Sequence, residues 1–144
     1  MQSSSYRPGR TFLYKLEHNS ELVRSIVDFA KGKRVKMAVF TVVGAVKQAR
    51  LAYYDQARHE YQQIKLDQPL EIASCSGNLS LKDGKPFAHV HAVLADAAGK
   101  TYAGHLIRAT VFAAELHLQE LLGKKLEREY DQTTGLALWE FGGR

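Results

Sequence analysis

The stretch that organises the predicted fold is residues 87–105, FAHVHAVLADAAGKTYAGH. Two strand-like runs, Phe87–Ala95 and Thr101–Phe112, flank the turn-forming segment Asp96–Lys100. A three-residue loop with Gly99 in the left-handed conformation is a common way to close such a segment. The stretch therefore predicts an antiparallel hairpin.

Three histidines fall on this hairpin. Side chains alternate between the two faces of a strand, so His89 and His91 project from the same face. If Asp96 lies opposite Lys100, then His91 lies directly across from His105, and directly opposed Cβ atoms are ~4.5–5.5 Å apart. A slip of one residue would turn His105 to the other face. The three imidazoles are therefore expected to converge in this one register.

A cluster of His89, His91 and His105 has the chemistry of a transition-metal site. Neutral imidazoles bind Zn²⁺, Fe²⁺, Ni²⁺ and related ions; the alternative is that the histidines are only packed or hydrogen-bonded. We expect Zn²⁺ or another divalent transition metal. Three protein ligands leave a coordination position for water, a substrate oxygen, a small-molecule ligand or a residue of another subunit. Glu71 and Glu115 are expected in a supporting role, as a general base if one of them reaches the ion.

One helix and several further strands complete the predicted fold. Apolar residues at helical spacing predict a long N-terminal helix over residues 21–30, with Asn19-Ser20 as its N-cap and Gly32 as its stop. Glu115–Leu122 is expected to be a short C-terminal element, either helix or strand. The fold class is then α+β with a mainly antiparallel or mixed sheet. The remaining strands are expected at Thr11–Leu16, Val35–Val46, Gln48–Tyr54, His59–Leu66, Leu70–Leu81, Glu127–Tyr130 and Ala137–Phe141.

Composition limits the function only loosely. The 144 residues fit one domain, expected over residues 10–144 after a flexible lead-in over residues 1–9. The net charge of +5 permits contact with DNA without requiring it. The single cysteine, Cys75, excludes an internal disulfide and is expected to be a buried apolar residue. We see neither a secretory signal nor an apolar run that would span a bilayer, so we expect a cytoplasmic protein without membrane contact.

Several segments carry a resemblance to a known family. They are Arg10-Thr11-Phe12 with Leu16, Met37–Val46, Arg50–Tyr54, Leu70-Glu71-Ile72 with Ser74, Ser76 and Gly77, and the histidine hairpin through Leu106. On these residues the chain resembles the plant and prokaryote conserved (PPC or PCC) domain. It is similar to the stand-alone prokaryotic type, often described as a predicted DNA-binding protein with a PD1-like motif. The resemblance covers nearly the whole chain.

The resemblance implies a PPC-like fold, a homotrimer, and His89, His91 and His105 as ligands of a metal ion, zinc above all. Plant relatives join the domain to an AT-hook that binds the minor groove of A·T-rich DNA. This sequence departs from them in two places. The plant segment Gly-Arg-Phe-Glu-Ile-Leu stands here as Gln68–Ala73, which keeps only the Glu-Ile pair, and the chain contains no Arg-Gly-Arg-Pro AT-hook core.

Three functions remain open from the sequence. The first is a metal-binding homotrimer with a DNA-binding or regulatory role, which the family resemblance and the positive charge favour. The second is a metal-dependent enzyme that uses the open position of a three-histidine site to activate water or polarise an oxygen. The third is a structural or effector-sensing module that holds a small-molecule ligand at the metal.

Overall fold

The computed structural model describes residues 3–141, which form eight strands and one helix. In chain order these elements are β1 (Arg7–Leu16), α1 (Leu22–Lys33), β2 (Ala38–Asp55), β3 (Glu60–Leu66), β4 (Leu70–Lys82), β5 (Lys85–Ala95), β6 (Thr101–Leu122), β7 (Glu127–Asp131) and β8 (Leu136–Glu140). Within this part of the chain, no helix is long and apolar enough to cross a membrane.

The strands form one rolled sheet in the order β3-β2-β6-β5-β4-β7-β8, with β1 paired to β6. The two longest strands, β2 and β6, have 18 and 22 residues and run antiparallel to each other. The first half of β2 also pairs with β4, whereas its second half pairs with β3. Consequently β2, β6, β5 and β4 close into a ring. The described pairs are antiparallel apart from a short parallel contact between β4 and β7.

Strand alternation separates the core from the histidine face. In β5 the even-numbered residues from Ala88 to Leu94 are buried, whereas His89 and His91 lie on the opposite face. The core is continuous and apolar, and it draws on α1 and most of the strands. The same alternation that stabilises the fold therefore directs the imidazoles to the outer face of the sheet.

The helix α1 covers the core with one apolar stripe. Leu22, Ile26 and Ala30 recur every four residues and are almost completely buried. Phe29 packs beside them and makes an edge contact with Phe12 of β1, at 5.4 Å between ring centroids. Tertiary packing of this stripe, rather than intrinsic propensity, is what stabilises a helix of this length.

Both ends of α1 differ from the expected ones. The N-cap is Glu21 instead of Asn19-Ser20, and its carboxylate accepts hydrogen bonds from two N–H groups of the first turn at 3.0 and 2.8 Å. The helix passes through Gly32 and ends at Lys33, and its C-cap, Arg34, takes the left-handed conformation with φ 58°. A longer side chain can thus reach the same N–H groups that a short cap residue satisfies.

The expected α+β architecture with one long N-terminal helix is wrong, because strands dominate the described chain and α1 has only 12 residues. Val35–Val46 and Gln48–Tyr54 were expected as two strands, but the structure has the single strand β2, which begins at Ala38 and runs through both segments. The register of β2 against β6 shifts on either side of Val46. Glu115–Leu122, expected as a separate element, continues β6. Its burial alternates with period two, and β1 and β2 flank it on both sides.

The first strand, β1, begins at Arg7, inside the lead-in that was expected over residues 1–9. An ion pair between Arg10 and Glu120 joins β1 to the end of β6. The Arg10 guanidinium donates hydrogen bonds to the Glu120 carboxylate from Nε at 2.7 Å and from Nη2 at 2.9 Å. Its Nη2 also donates to the Lys33 carbonyl at the end of α1. The Glu120 side chain is only 10% exposed, so its charge depends on this partner.

We expect Arg10→Ala to lower the melting temperature, because it leaves the Glu120 carboxylate without its partner. The hydrogen bonds from Arg10 hold the pKa of Glu120 below its ordinary value of 4.5, against the opposing effect of burial. The stabilisation is therefore fully present above pH 4.5 and is lost as the pH falls through the lowered pKa. Thermal unfolding at pH 7 and at several values below 4.5 should show the difference between wild type and variant narrowing in acid. Arg24→Ala, which breaks an exposed pair with Asp28, is the control and should change little.

Candidate metal centre

The hairpin that carries the histidines has the predicted loop. Between β5 and β6 the Asp96 N–H donates to the Lys100 carbonyl at 3.0 Å, and Gly99 lies in the left-handed region with φ 77°. The Asp96 carboxylate accepts two further loop N–H groups, those of Ala98 and Lys100, at 2.9 and 3.0 Å. These contacts fix the loop length and with it the register of both strands.

In this register His91 lies directly opposite His105, as the sequence predicted. His89 stands two residues along β5 on the same face. The ring centroids are 5.1 Å apart for His89 and His91, 5.3 Å for His89 and His105, and 5.6 Å for His91 and His105. One ligand nitrogen from each of the three rings lies within 4.8 Å of the others. We call this group the histidine triad.

The environment of His89 and His105 favours their neutral imidazole forms. Burial, followed by the positive charge of Arg128 and then by the neighbouring histidines, lowers the pKa of His89 to about 4. Burial and His91 also lower the pKa of His105. A neutral imidazole offers a lone pair to a metal, whereas a protonated ring offers none.

One nitrogen of the triad lacks a hydrogen-bond partner among residues 3–141. The Nδ1 atom of His105 is buried and makes no hydrogen bond. Buried polar atoms are nearly always satisfied, so an orphaned nitrogen in a ligand group calls for a partner from outside these residues. The donor set, the spacing and this unsatisfied atom all fit a divalent transition metal.

Aromatic side chains line the cleft on one side of the triad. The ring of Tyr61 in β3 lies 5.3 Å from that of His105, and Tyr54 in β2 packs on Tyr61 at 4.9 Å. The Tyr54 hydroxyl donates to the Thr134 carbonyl at 2.6 Å, which ties the end of β2 to the turn between β7 and β8. The cleft encloses about 600 Å³ and opens onto all three histidines.

The expected supporting carboxylates lie elsewhere. Glu71 sits opposite Ala95, four residues along β5 from His91, which corresponds to roughly 13 Å of strand. Glu115 sits opposite Val43 on β2 and lines a different cleft. Among the described residues, the group that could hold a metal consists of the three histidines alone.

Two further residues, Cys75 and His117, lie outside the triad. Cys75 is 3% exposed in the apolar core, and burial raises the pKa of its thiol to about 12, so its expected role as a buried apolar residue is confirmed. His117, on the outer face of β6, lines a second cleft that also reaches His89 and His91. It therefore borders the site without belonging to the triad.

Sequence reasoning missed Arg128, which enters the triad cleft from β7. The strand Glu127–Asp131 has the composition of a solvated charged strand, yet Arg128 is only 7% exposed. Its position follows from the parallel contact between β7 and β4, where Arg128 lies opposite Lys82. A pairing between segments so distant in sequence leaves no local pattern that would have revealed it.

Comparisons with known proteins agree with this description. The profile of the Plants and Prokaryotes Conserved (PCC) domain matches residues 3–122. The crystal structure of a metal-containing protein from Archaeoglobus fulgidus is similar, with a TM-score of 0.94 and 43% identity, over 97% of this chain and 99% of that one. A plant- and prokaryote-conserved (PPC) protein of Pyrococcus horikoshii gives a TM-score of 0.93 at 38% identity, over 97% of each chain.

Proteins of lower sequence identity also match the chain. The bifunctional protein GlmU of Synechococcus sp. strain JA-3-3Ab is 31% identical over 129 residues, which is 88% of this chain but 20% of that protein. The chain thus spans about a fifth of the length of the curated relatives that it matches. A DNA-binding candidate from Bacteroides thetaiotaomicron has a TM-score of 0.86 at 21% identity, over 94% of this chain and 97% of that one, and at that identity it shows the fold alone.

Proposed function

Because the chain belongs to the Plants and Prokaryotes Conserved (PCC) domain family, we propose that it is a metal-binding homotrimer with a regulatory, DNA-associated role in the cytoplasm. The metal would be Zn²⁺ or another divalent transition metal, with His89, His91 and His105 as its protein ligands. The observation that carries this proposal is the convergence of three imidazoles, each with a ligand nitrogen within 4.8 Å of the others, together with the unpartnered Nδ1 of His105. A metal-containing relative of 43% identity supports it.

The triad would leave part of the coordination shell open. Three neutral histidines hold the ion without an anionic protein ligand, so a bound ion would act as a Lewis acid towards an oxygen ligand. Tyr61 packs beside His105 and lines one side of the group. This chain's own contribution is to position the three rings and, through burial, to lower the pKa of His89 and His105.

An exposed apolar strip supports self-association. Leu13 is 83% exposed and Val43 is 58% exposed, and both line a cleft on the outer face of the sheet. Val39, two positions further along this face of β2 beyond Thr41, is 45% exposed. Exposed apolar side chains grouped in this way are typical of a protein–protein contact, and further copies of the chain would cover them.

A single preparation tests the metal and the trimer together. We expect elemental analysis of the purified protein to give one transition-metal ion per chain, and sedimentation equilibrium to give three times the mass of the 144-residue chain. A monomeric mass would contradict the trimer, and the lack of any bound ion after incubation with Zn²⁺ would contradict the metal site.

The DNA-associated role rests on the positive charge of +5 and on the family description. Its measurement is fluorescence anisotropy with a labelled duplex over a series of salt concentrations. Contacts to phosphates release counterions, so we expect the affinity to fall steeply as salt is added. If no affinity is seen even at low salt, the role of an effector-sensing module takes its place, which the cleft of about 600 Å³ beside the triad favours.

A further inference from the structure

Arg128 is a buried cation that forms no ion pair with a residue of the described range 3–141. Its side chain is only 7% exposed, and its three hydrogen bonds go to the Ser80 hydroxyl at 3.0 Å, the Ala137 carbonyl at 3.0 Å and the Asn78 side-chain oxygen at 2.8 Å. All three acceptors are neutral, and none of the ion pairs within residues 3–141 includes Arg128. Burying a charge without a counter-ion is costly, so this arrangement calls for an anion.

The guanidinium is held in place before any ligand arrives. It lies between the rings of Phe87 and Trp139, with its central carbon 5.5 and 5.3 Å from their centroids. Ser80, which is fully buried, accepts hydrogen bonds from both Arg128 and the Trp139 indole. Three of the five guanidinium N–H groups are thus engaged, which leaves two for a ligand. Such a fixed planar fork suits a carboxylate or a phosphate.

This cation belongs to the same cleft as the triad. Asn78, which accepts from Arg128, lies directly opposite His89 in the pairing of β4 with β5. Lys82 lines the cleft as well, with its ammonium 5.5 Å from the Phe87 ring. A divalent ion held by three neutral imidazoles would add its full charge to those of Arg128 and Lys82. The cleft then concentrates positive charge with no protein carboxylate among the described residues that line it.

We propose that this cleft binds a small oxyanion, the carboxylate or phosphate group of a soluble ligand, which Arg128 holds beside the triad with help from Lys82. This proposal names the ligand class of the site described above. It rests on the proposed function, because the metal would supply part of the positive charge. The volume of about 600 Å³ suits a ligand of metabolite size. The low exposure of Arg128 suits such a ligand better than a duplex, whose phosphates stay on the outside of a rigid helix.

The test is calorimetric titration of the metal-loaded protein with inorganic phosphate and, separately, with malonate. We expect the wild type to bind at least one of them, and the two titrations show whether phosphate or carboxylate is preferred. Arg128→Gln should weaken this affinity by more than ~10-fold, because a charge-assisted hydrogen bond is lost. Lys82→Gln should weaken it less, and Arg24→Gln, an exposed arginine on α1, should leave it unchanged. Arg128→Gln should also retain the metal at the wild-type stoichiometry.

Each contrary result has its own meaning. If the metal-loaded wild type binds neither anion at millimolar concentration, the inference is overturned while the metal site stands. An equal loss in Arg24→Gln would also overturn it, since the effect would then come from net charge. If the wild type holds no metal, the proposed function fails, and titration of the same metal-free protein still tests Arg128. If Arg128→Gln unfolds, two other variants, Lys82→Gln and Arg128→Lys, replace it in the titrations. Circular dichroism first checks that both are folded. An anion affinity equal to that of the wild type in both variants would overturn the proposal. Loss of duplex affinity alone in Arg128→Gln would point to DNA instead.

Discussion

Replacing His91 with alanine is expected to weaken zinc binding by more than ~100-fold, because even the loss of an outer-shell partner costs a metal site 10–100-fold. His91 is the exposed member of the triad, so its removal should leave the core intact. The remaining pair, His89 and His105, would hold the ion with two protein ligands instead of three. Competition with a chromophoric chelator measures the affinity, and circular dichroism reports the fold.

The same variant separates the metal site from general stability. A ligand present at 100 times its Kd stabilises the folded state by about 2.7 kcal/mol, so Zn²⁺ should raise the melting temperature of the wild type. We expect that rise to disappear in His91→Ala. His18→Ala is the matched control, since His18 is exposed and its ring bonds to the Phe112 carbonyl, away from the triad. A zinc affinity of His91→Ala that equals the wild-type value would remove His91 from the ligand set.

The part of the site that sequence predicts well is the part set by local chemistry. The loop from Asp96 to Lys100 closes through contacts among its own residues, and Gly99 supplies the left-handed conformation that it needs. Once the loop length is fixed, strand alternation leaves a single partner for His91, namely His105. The geometry of the triad could therefore be derived from a few residues without knowledge of the whole fold.

The remaining features depend on contacts between distant segments. Nothing local distinguishes Arg128 from its charged neighbours in β7, and only the pairing of that strand with β4 brings it to the triad. No sequence pattern fixed the distance of Glu71 and Glu115 from the histidines, and the structure puts both residues away from them. In the same way, β2 and β6 are continuous because other strands pair with them on both sides. The alternation of apolar and polar residues within one strand does not reveal these pairings.

Gly44→Ala is expected to cost roughly 2–5 kcal/mol of unfolding free energy. Gly44 lies in β2 with φ 133°, a conformation that residues with a side chain rarely adopt. An added Cβ would sit 2.2 Å from the Ala113 carbonyl oxygen and 2.7 Å from the Ala114 Cα, and neither backbone atom can turn away. The conformation alone costs ~1–2 kcal/mol, and the overlap adds ~1–3 kcal/mol or more. A domain with a total of ~5–15 kcal/mol would lose a large part of its stability.

The position of Gly44 explains why this overlap cannot relax cheaply. It pairs with Ala114 of β6 on one side and with Ile72 of β4 on the other, at a point where the register shifts, so the backbone is held between two strands of the closed ring. Gly84→Ala is the matched control, because Gly84 also has a positive φ, of 70°, but its Cβ would meet no atom within 4 Å. Urea unfolding of both variants should give a loss of only ~1–2 kcal/mol for Gly84→Ala. Equal losses would mean that β2 shifts away from β6 without strain, and the ring would then be looser than its pairing implies.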